Sequence, residues 1–273
     1  MKKRNSYNIL STLILALAAV TVLFPLIWVA FTSLKSSQEF YFNIWGLPKE
    51  FVWDNYVEAW VKTNFGKNFM NSLLVTFGAL LINLVCSTTT AYCIGRYQYR
   101  GRRITNGIYM ASMMIPSIIG LIPQYFLLAN MKLLDTRLGL TLVYGFSAIP
   151  FSVFTLLGFF QALPHELEEA AMIDGCTPSQ AMRNVTIPLM RSSFVTCLFL
   201  SITRCFMVYD VNLSLTKGEP FNSSVMAAMH VYNKAFVYKD YGTGQAEALI
   251  LFIVCAIIGI TQVYVGKKGE VSA

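Results

Sequence analysis

Residues 161–192 read QALPHELEEAAMIDGCTPSQAMRNVTIPLMRS, a long polar segment between two apolar runs of membrane-span length. The pattern predicts two short helices joined by a tight turn. Pro164 suits the first turn of the first helix, where a missing N–H costs nothing. Gly175 suits a left-handed stop after that helix. Thr177 and Gln180 have the spacing of a capping box, which predicts that the second helix begins there.

The first helix of this segment has an acidic start and one apolar face. Three carboxylates fall where the positive end of the helix dipole favours them, namely Glu166, Glu168 and Glu169. The apolar face contains, at helical spacing, Leu167, Ala170 and Ala171. Because two of these three residues are alanines, another surface can approach this face closely.

The composition of the whole chain is that of a polytopic membrane protein. Of its 273 residues 55% are hydrophobic and only 13% are charged, whereas an ordinary soluble domain has about 25% charged residues. The formal net charge is +7. The basic residues lie mainly in short loops and at the termini instead of forming a basic face, which argues against nucleic-acid binding.

The apolar runs predict an all-α membrane protein with six transmembrane helices in a single domain, residues 1–273. A helix needs about 20 apolar residues to cross the bilayer. The six runs are 9–32, 71–94, 105–128, 139–160, 193–211 and 246–266. Residues 161–192 then form a loop between spans four and five. Prolines that predict kinks within these runs are Pro25, Pro116, Pro123 and Pro150.

The distribution of basic residues predicts the orientation. A loop of about ten residues between spans two and three contains Arg96, Arg100, Arg102 and Arg103. Short cytoplasmic loops are enriched in such residues. This rule places both termini and the loop of residues 161–192 in the cytoplasm. The expected location of such a multi-pass protein is a bacterial-type plasma membrane.

No residue pattern of a catalytic or metal site is present. The two histidines, His165 and His230, are far apart, and no zinc-protease, serine-hydrolase or phosphate-binding-loop motif occurs. The sequence therefore predicts no enzyme activity, no metal site and no cofactor in this chain. If ATP drives the protein, ATP and Mg²⁺ must bind another polypeptide.

The polar segment resembles the EAA loop of ABC importer permeases. The resemblance rests on Glu169-Ala170-Ala171, on Asp174-Gly175, and on Val185–Leu189 nine residues further on. In that family the loop docks into a cleft of a cytoplasmic ATPase. The resemblance therefore implies that the ATPase-coupling residues are Glu169, Ala170, Ala171, Asp174, Gly175 and Pro188.

Motifs elsewhere resemble the carbohydrate branch of these permeases, in particular the maltose-type second permease. They include Phe24–Trp28, Thr32–Lys35, Asn71–Leu73 and Gly158–Phe160. Many relatives have Trp-Asn-Glu-Phe near the end of span five, whereas this chain has Val208–Val211. The resemblance therefore leaves the particular sugar open.

The resemblance implies a permease subunit of an ATP-driven importer for a sugar or oligosaccharide, in which closure of the ATPases drives alternating access. Its implied partners are a second related permease, two cytoplasmic ATPase subunits, an extracellular substrate-binding protein, the sugar and the lipid bilayer, with no nucleic acid. Two alternatives remain open. One is an importer for another solute, such as a polyol or glycerol phosphate, and the other is an ion-driven secondary transporter.

Two further sets of residues are candidate sites. The last outside loop of maltose-type relatives reaches into the binding protein, and here its turn-forming tip is Thr216, Lys217, Gly218, Glu219 and Pro220. A sugar path needs aromatic and polar side chains in cavity-lining spans. The candidates are Tyr144, Ser147, Arg204, Tyr209, Asp210 and Asn212.

Overall fold

A computed structural model describes residues 2–218 and 224–268, and in these ranges the chain is helical with no β-strand. The helices are α1 (Lys2–Thr32), α2 (Ser37–Phe42), α3 (Asp54–Val57), α4 (Phe65–Arg96), α5 (Arg102–Met114), α6 (Leu121–Asn130), α7 (Arg137–Ala162), α8 (Glu166–Ile173), α9 (Pro178–Ala181), α10 (Ile187–Leu189), α11 (Arg191–Met207), α12 (Asp210–Leu215), α13 (Ala227–Tyr232) and α14 (Tyr241–Lys268). Short π-helical segments are Glu58–Lys62, Met182–Thr186 and Asn233–Val237, and a 3₁₀ turn is Ser117–Gly120.

Four helical segments are long and apolar enough to cross a bilayer, and two bent pairs raise the number to six if each pair is one span. The four are Leu10–Thr32, Phe65–Arg96, Arg137–Ala162 and Tyr241–Gly266. The bent pairs are Arg102–Met114 with Ser117–Asn130, at 98°, and Pro178–Leu189 with Arg191–Met207, at 68°. An all-α membrane fold is therefore confirmed, while a count of six spans stays a prediction.

Two of the predicted runs are not single straight helices. The run 105–128 breaks at Ile115, whose backbone is extended (φ −83°, ψ 119°). Pro116 explains this break, because proline disfavours the helical conformation in the residue before it. The run 193–211 ends early, since α11 stops at Met207 and Val208 is extended. At about 1.5 Å per residue, the 17 residues of α11 are short for a bilayer core of about 30 Å.

The chain divides into two compact units. The first comprises the residues up to Gly66 together with His230–Ile253. In it Lys35 is fully buried, and its ammonium group donates hydrogen bonds to the carbonyl oxygens of Asn43 (2.5 Å) and Gly46 (2.6 Å). Burial lowers the pKa of Lys35 from its usual value, and the nearby charge of Glu39 opposes that shift.

A second buried polar group in this unit is Glu247, which is 0% exposed. Its carboxylate lies 2.9 Å from His230 Nδ1 and accepts a hydrogen bond of 2.8 Å from the Thr63 hydroxyl. A buried carboxylate needs such partners because its desolvation is otherwise costly. The cluster connects α13 and α14 with the segment around Thr63, which lies far earlier in the sequence.

The second unit comprises Lys67–Met229 and the chain from Val254 onward, and its core lies between α4, α7 and α11. The apolar core there includes Ala91, Ile94, Val153, Leu156, Met190 and Cys197. Asn83 Nδ2 on α4 donates hydrogen bonds to Ser152 Oγ on α7 (2.9 Å) and Ser201 Oγ on α11 (3.0 Å). Hydrogen bonds of this kind stabilise contacts between membrane helices. This three-helix core carries the segment that the sequence singles out.

Candidate functional site: the loop between α7 and α11

The loop after α7 is two helical segments joined by a tight turn, as predicted. Gly175 has a φ of +93°, which glycine adopts without the steric cost that a side chain would add. Thr177 and Gln180 form a capping box, with the Thr177 N–H donating to Gln180 Oε1 at 2.8 Å. The prediction for Pro164 is wrong, because α8 begins only at Glu166 with His165 as its N-cap.

The loop is fixed to the rest of its unit by a buried carboxylate, Glu168, which is only 6% exposed. Glu168 Oε1 accepts a hydrogen bond of 2.7 Å from the Thr186 hydroxyl in the second half of the loop. The same oxygen lies 3.3 Å from Nε of Arg96, the last residue of α4. Arg96 also donates to the carbonyl oxygen of Leu163, just after α7, at 3.1 Å. One ion pair therefore connects α4, the end of α7 and both halves of the loop.

Sequence reasoning missed this anchor. It assigned Glu168 to the helix dipole and Arg96 to the basic loop that sets orientation. A usable signal was the pair of adjacent glutamates, Glu168 and Glu169. Neighbouring helical residues point about 100° apart, so only one of the two can face inward.

The other predicted coupling residues face outward. Glu169, Ala170, Asp174, Gly175 and Pro188 are exposed and Ala171 is half-buried. The Glu169 carboxylate lies 3.7 Å from His165 Nδ1, and both of these side chains are at least half exposed.

Apolar side chains are also exposed on this loop. Leu167 and Met172 on α8 are exposed, and Ile173 at its end is 86% exposed. Ile187 and Leu189 on α10 are exposed as well. Apolar side chains grouped on a polar loop are typical of a surface that binds a partner.

The candidate sugar-path residues separate into two groups. Tyr144, Ser147, Arg204 and Asp210 line one cavity of about 180 Å³ in the second unit. Tyr209 comes directly before α12 and is not among the residues lining that cavity.

Asn212 is fully buried and holds the chain that follows it. Its side chain hydrogen-bonds the Thr216 hydroxyl (2.9 Å), the Ser224 carbonyl oxygen (3.0 Å) and the Met226 N–H (3.0 Å). Because these bonds occupy the side-chain amide within the protein, Asn212 has a structural role, and it does not line the cavity.

The candidate binding-protein loop lies partly outside the described residues, since Glu219 and Pro220 belong to the segment 219–223. Of the described part, Thr216 is buried and bonded to Asn212, while Lys217 is exposed. Lys217 and Gly218 both have positive φ, +48° and +91°. The chain therefore turns here, as predicted.

Within residues 10–218 and 224–266, no group of three or more histidine, cysteine or acidic side chains is arranged to hold a metal ion. The six cysteines are all free thiols, at positions 86, 93, 176, 197, 205 and 255.

The described residues thus combine helical segments of membrane-span length with an exposed loop that a buried ion pair anchors. The family model for the binding-protein-dependent transport system inner membrane component matches residues 87–269, and the chain belongs to this family.

Relatives and a solved structure agree with this assignment. The chain is 34% identical, over 93% of its length and 83% of the relative, to the diacetylchitobiose uptake system permease protein NgcG of Streptomyces coelicolor. It is 28% identical, over 92% of its length and 90% of the relative, to the trehalose transport system permease protein SugB of Mycobacterium tuberculosis. Its fold matches a chain of a bacterial ABC transporter that imports alginate, with a TM-score of 0.75, 20% identity and 97% of both chains covered.

Proposed function

We propose that this chain is a permease subunit of an ATP-driven ABC importer that takes up a sugar or oligosaccharide. Two relatives that it matches over most of their length are permeases for diacetylchitobiose and trehalose. A structural neighbour was solved in complex with a periplasmic protein that holds an alginate pentasaccharide. The uptake of a saccharide through a binding protein is therefore the function that these similarities favour.

The proposal that this subunit is coupled to an ATPase rests on the loop between α7 and α11. Glu168 holds the loop from inside, while Glu169, Ala170 and the apolar end of α8 at Ile173 are left exposed. A rigid loop binds a partner with a smaller entropy cost than a flexible one. Movement of an attached ATPase would be transmitted to α4 through Arg96, because the ion pair fixes α8 to the end of α4.

The remaining subunits of the importer follow from the family resemblance. They are a second related permease, two cytoplasmic ATPases that bind ATP and Mg²⁺, and an extracellular binding protein. In this proposal both termini and the loop of residues 161–192 face the cytoplasm, and the chain itself catalyses no reaction. The exposed Lys217 in the turn after α12 belongs to the surface that would meet the binding protein.

Co-purification of the ATPase subunit tests the coupling role. The substitution Glu169→Lys reverses an exposed charge on the proposed docking face. We expect normal membrane levels of the permease with loss of the co-purifying ATPase. Glu166→Lys is the matched control, because it makes the same change at another exposed position of α8. Full ATPase binding and transport in the Glu169→Lys variant would contradict the assignment.

A further inference from the structure

A cavity of about 180 Å³ lies in the second unit, next to the break between α5 and α6. The side chains around it come from four parts of that unit: the 3₁₀ turn with α6, α7, α11, and the chain from Val208 into the start of α12. Its polar lining residues are Ser117, Gln124, Tyr144, Ser147, Ser201, Arg204 and Asp210, of which Ser201 already accepts a hydrogen bond from Asn83. A second cavity of about 480 Å³ shares four of these, Ser117, Gln124, Ser147 and Arg204, so the two spaces are neighbours.

Three side chains that line this cavity have polar groups available to bind a ligand. Tyr144 is 6% exposed, and its buried hydroxyl has no hydrogen-bond partner in the part of the chain that the structure describes. Arg204 and Asp210 form no salt bridge with each other or with another described side chain. A buried hydroxyl without a partner is unfavourable unless water or a ligand satisfies it.

The chemistry of the lining favours a neutral, hydroxyl-rich ligand. Arg204 supplies donors only and an ionised Asp210 supplies acceptors only, while the Tyr144 hydroxyl can do both. Sugar hydroxyls need donors and acceptors side by side. An anionic ligand would be attracted by Arg204 but repelled by Asp210, and a cationic ligand would meet the reverse.

The apolar lining residues and the volume of the cavity also favour a sugar ligand. Between the polar groups the cavity is lined by apolar side chains, among them Leu121, Val143 and Val208, which suit the C–H faces of a sugar ring. Pockets for drug-sized ligands measure about 300–1,000 Å³. A cavity of about 180 Å³ therefore suits a single ring, with the neighbouring cavity available to the next.

We propose that this cavity binds one ring of a neutral saccharide during transport, with its hydroxyls bound by Tyr144, Arg204 and Asp210. This inference rests on the proposed function and adds to it a substrate class and a site on this subunit.

The test uses the complete importer and its binding protein in proteoliposomes, with ATP inside. Tritiated diacetylchitobiose, trehalose and maltose are the neutral probes, and a disaccharide of uronic acids is the acidic one. The neutral sugar with the highest ATP-dependent uptake is then used to measure sugar imported per ATP hydrolysed. This ratio is insensitive to the amount of folded protein, because poor folding lowers both quantities together.

The variant Tyr144→Phe removes only the hydroxyl. We expect its sugar-to-ATP ratio to fall about two- to tenfold, the range for one lost hydrogen bond, while loaded binding protein still stimulates ATP hydrolysis. Asp210→Asn, at an exposed position outside the apolar core, should lower the ratio as well. Tyr125→Phe is the matched control, since Tyr125 is an exposed tyrosine of α6 that does not line the cavity.

Two results would overturn the inference alone: a ratio in Tyr144→Phe and Asp210→Asn equal to that of Tyr125→Phe, or import of the uronic-acid disaccharide but of no neutral sugar. If no saccharide is imported at all, the proposed function fails and this inference fails with it.

Discussion

The ion pair between Glu168 and Arg96 should determine whether α8 stays attached to α4. Both side chains are buried, so water screens their attraction little. Removing one partner of a buried pair leaves the other charge uncompensated, at a cost of about 3–5 kcal/mol. In Glu168→Gln the amide can still bond the Thr186 hydroxyl, so the change acts mainly on Arg96.

Because every 1.4 kcal/mol is a tenfold change in an equilibrium constant, this loss should make opening of the loop about two to three and a half orders of magnitude more frequent. Hydrogen exchange of the α8 amides in the purified importer measures that opening. We expect much faster exchange in Glu168→Gln and wild-type exchange in Glu166→Gln, a control at an exposed position of the same helix.

A double variant distinguishes the loss of the ion pair from a general destabilisation of the core by either substitution. Apolar replacement of both partners of a buried ion pair is often neutral or stabilising. Arg96→Met combined with Glu168→Leu should therefore recover most of the protection that either single variant loses. If Glu168→Gln exchanges no faster than Glu166→Gln, the ion pair does not hold the loop and the reasoning is refuted.

Three further predictions concern other parts of the chain. Gly175→Val should destabilise the loop by about 1–2 kcal/mol through its left-handed backbone alone, because a Cβ there meets no atom within 4 Å; unchanged exchange of the α8 amides would contradict this. Burial alone would raise the pKa of Asp240, but hydrogen bonds from Lys234, Ser37 and Thr243 and the Lys234 charge outweigh it and lower that pKa below 3.8. The Asp240 carboxylate therefore stabilises the first unit fully above about pH 3.8 and loses this effect as the pH falls through its lowered pKa. The free energy of unfolding, measured against pH, should therefore depend on acid less in Asp240→Asn than in the unsubstituted chain. The prediction is contradicted if the two pH profiles coincide. In intact cells without native cysteines, a cysteine near Lys49 should react with a membrane-impermeant thiol reagent and one near Arg102 should not, and the reverse pattern would invert the proposed orientation.

The parts of the site that local sequence signals determine could be predicted. The left-handed Gly175 and the capping box of Thr177 and Gln180 depend on residues within one turn of each other, and both are present. The break before Pro116 has a local cause as well, but its angle of 98° depends on what the two helices pack against. The sequence predicted a kink there without its size.

The long-range polar contacts could not be predicted. Glu168 and Glu169 are equivalent in a helical pattern, and what turns Glu168 inward is its contact with Arg96 and Thr186, 72 and 18 residues away in sequence. The pairing of Glu247 with Thr63 likewise spans 184 residues. No periodicity in the sequence identifies such partners, because these contacts follow from the packing of whole helices.

ATP-driven uptake of a saccharide by the reconstituted importer tests the central claim most directly. Proteoliposomes would contain this chain, its second permease and the ATPase subunits, with the binding protein outside and tritiated diacetylchitobiose, trehalose and maltose as probes. We predict accumulation of at least one sugar that requires both ATP inside and the binding protein outside, and that is abolished by Glu169→Lys in this chain. Accumulation that proceeds without ATP, or that an ion gradient drives instead, would contradict the account.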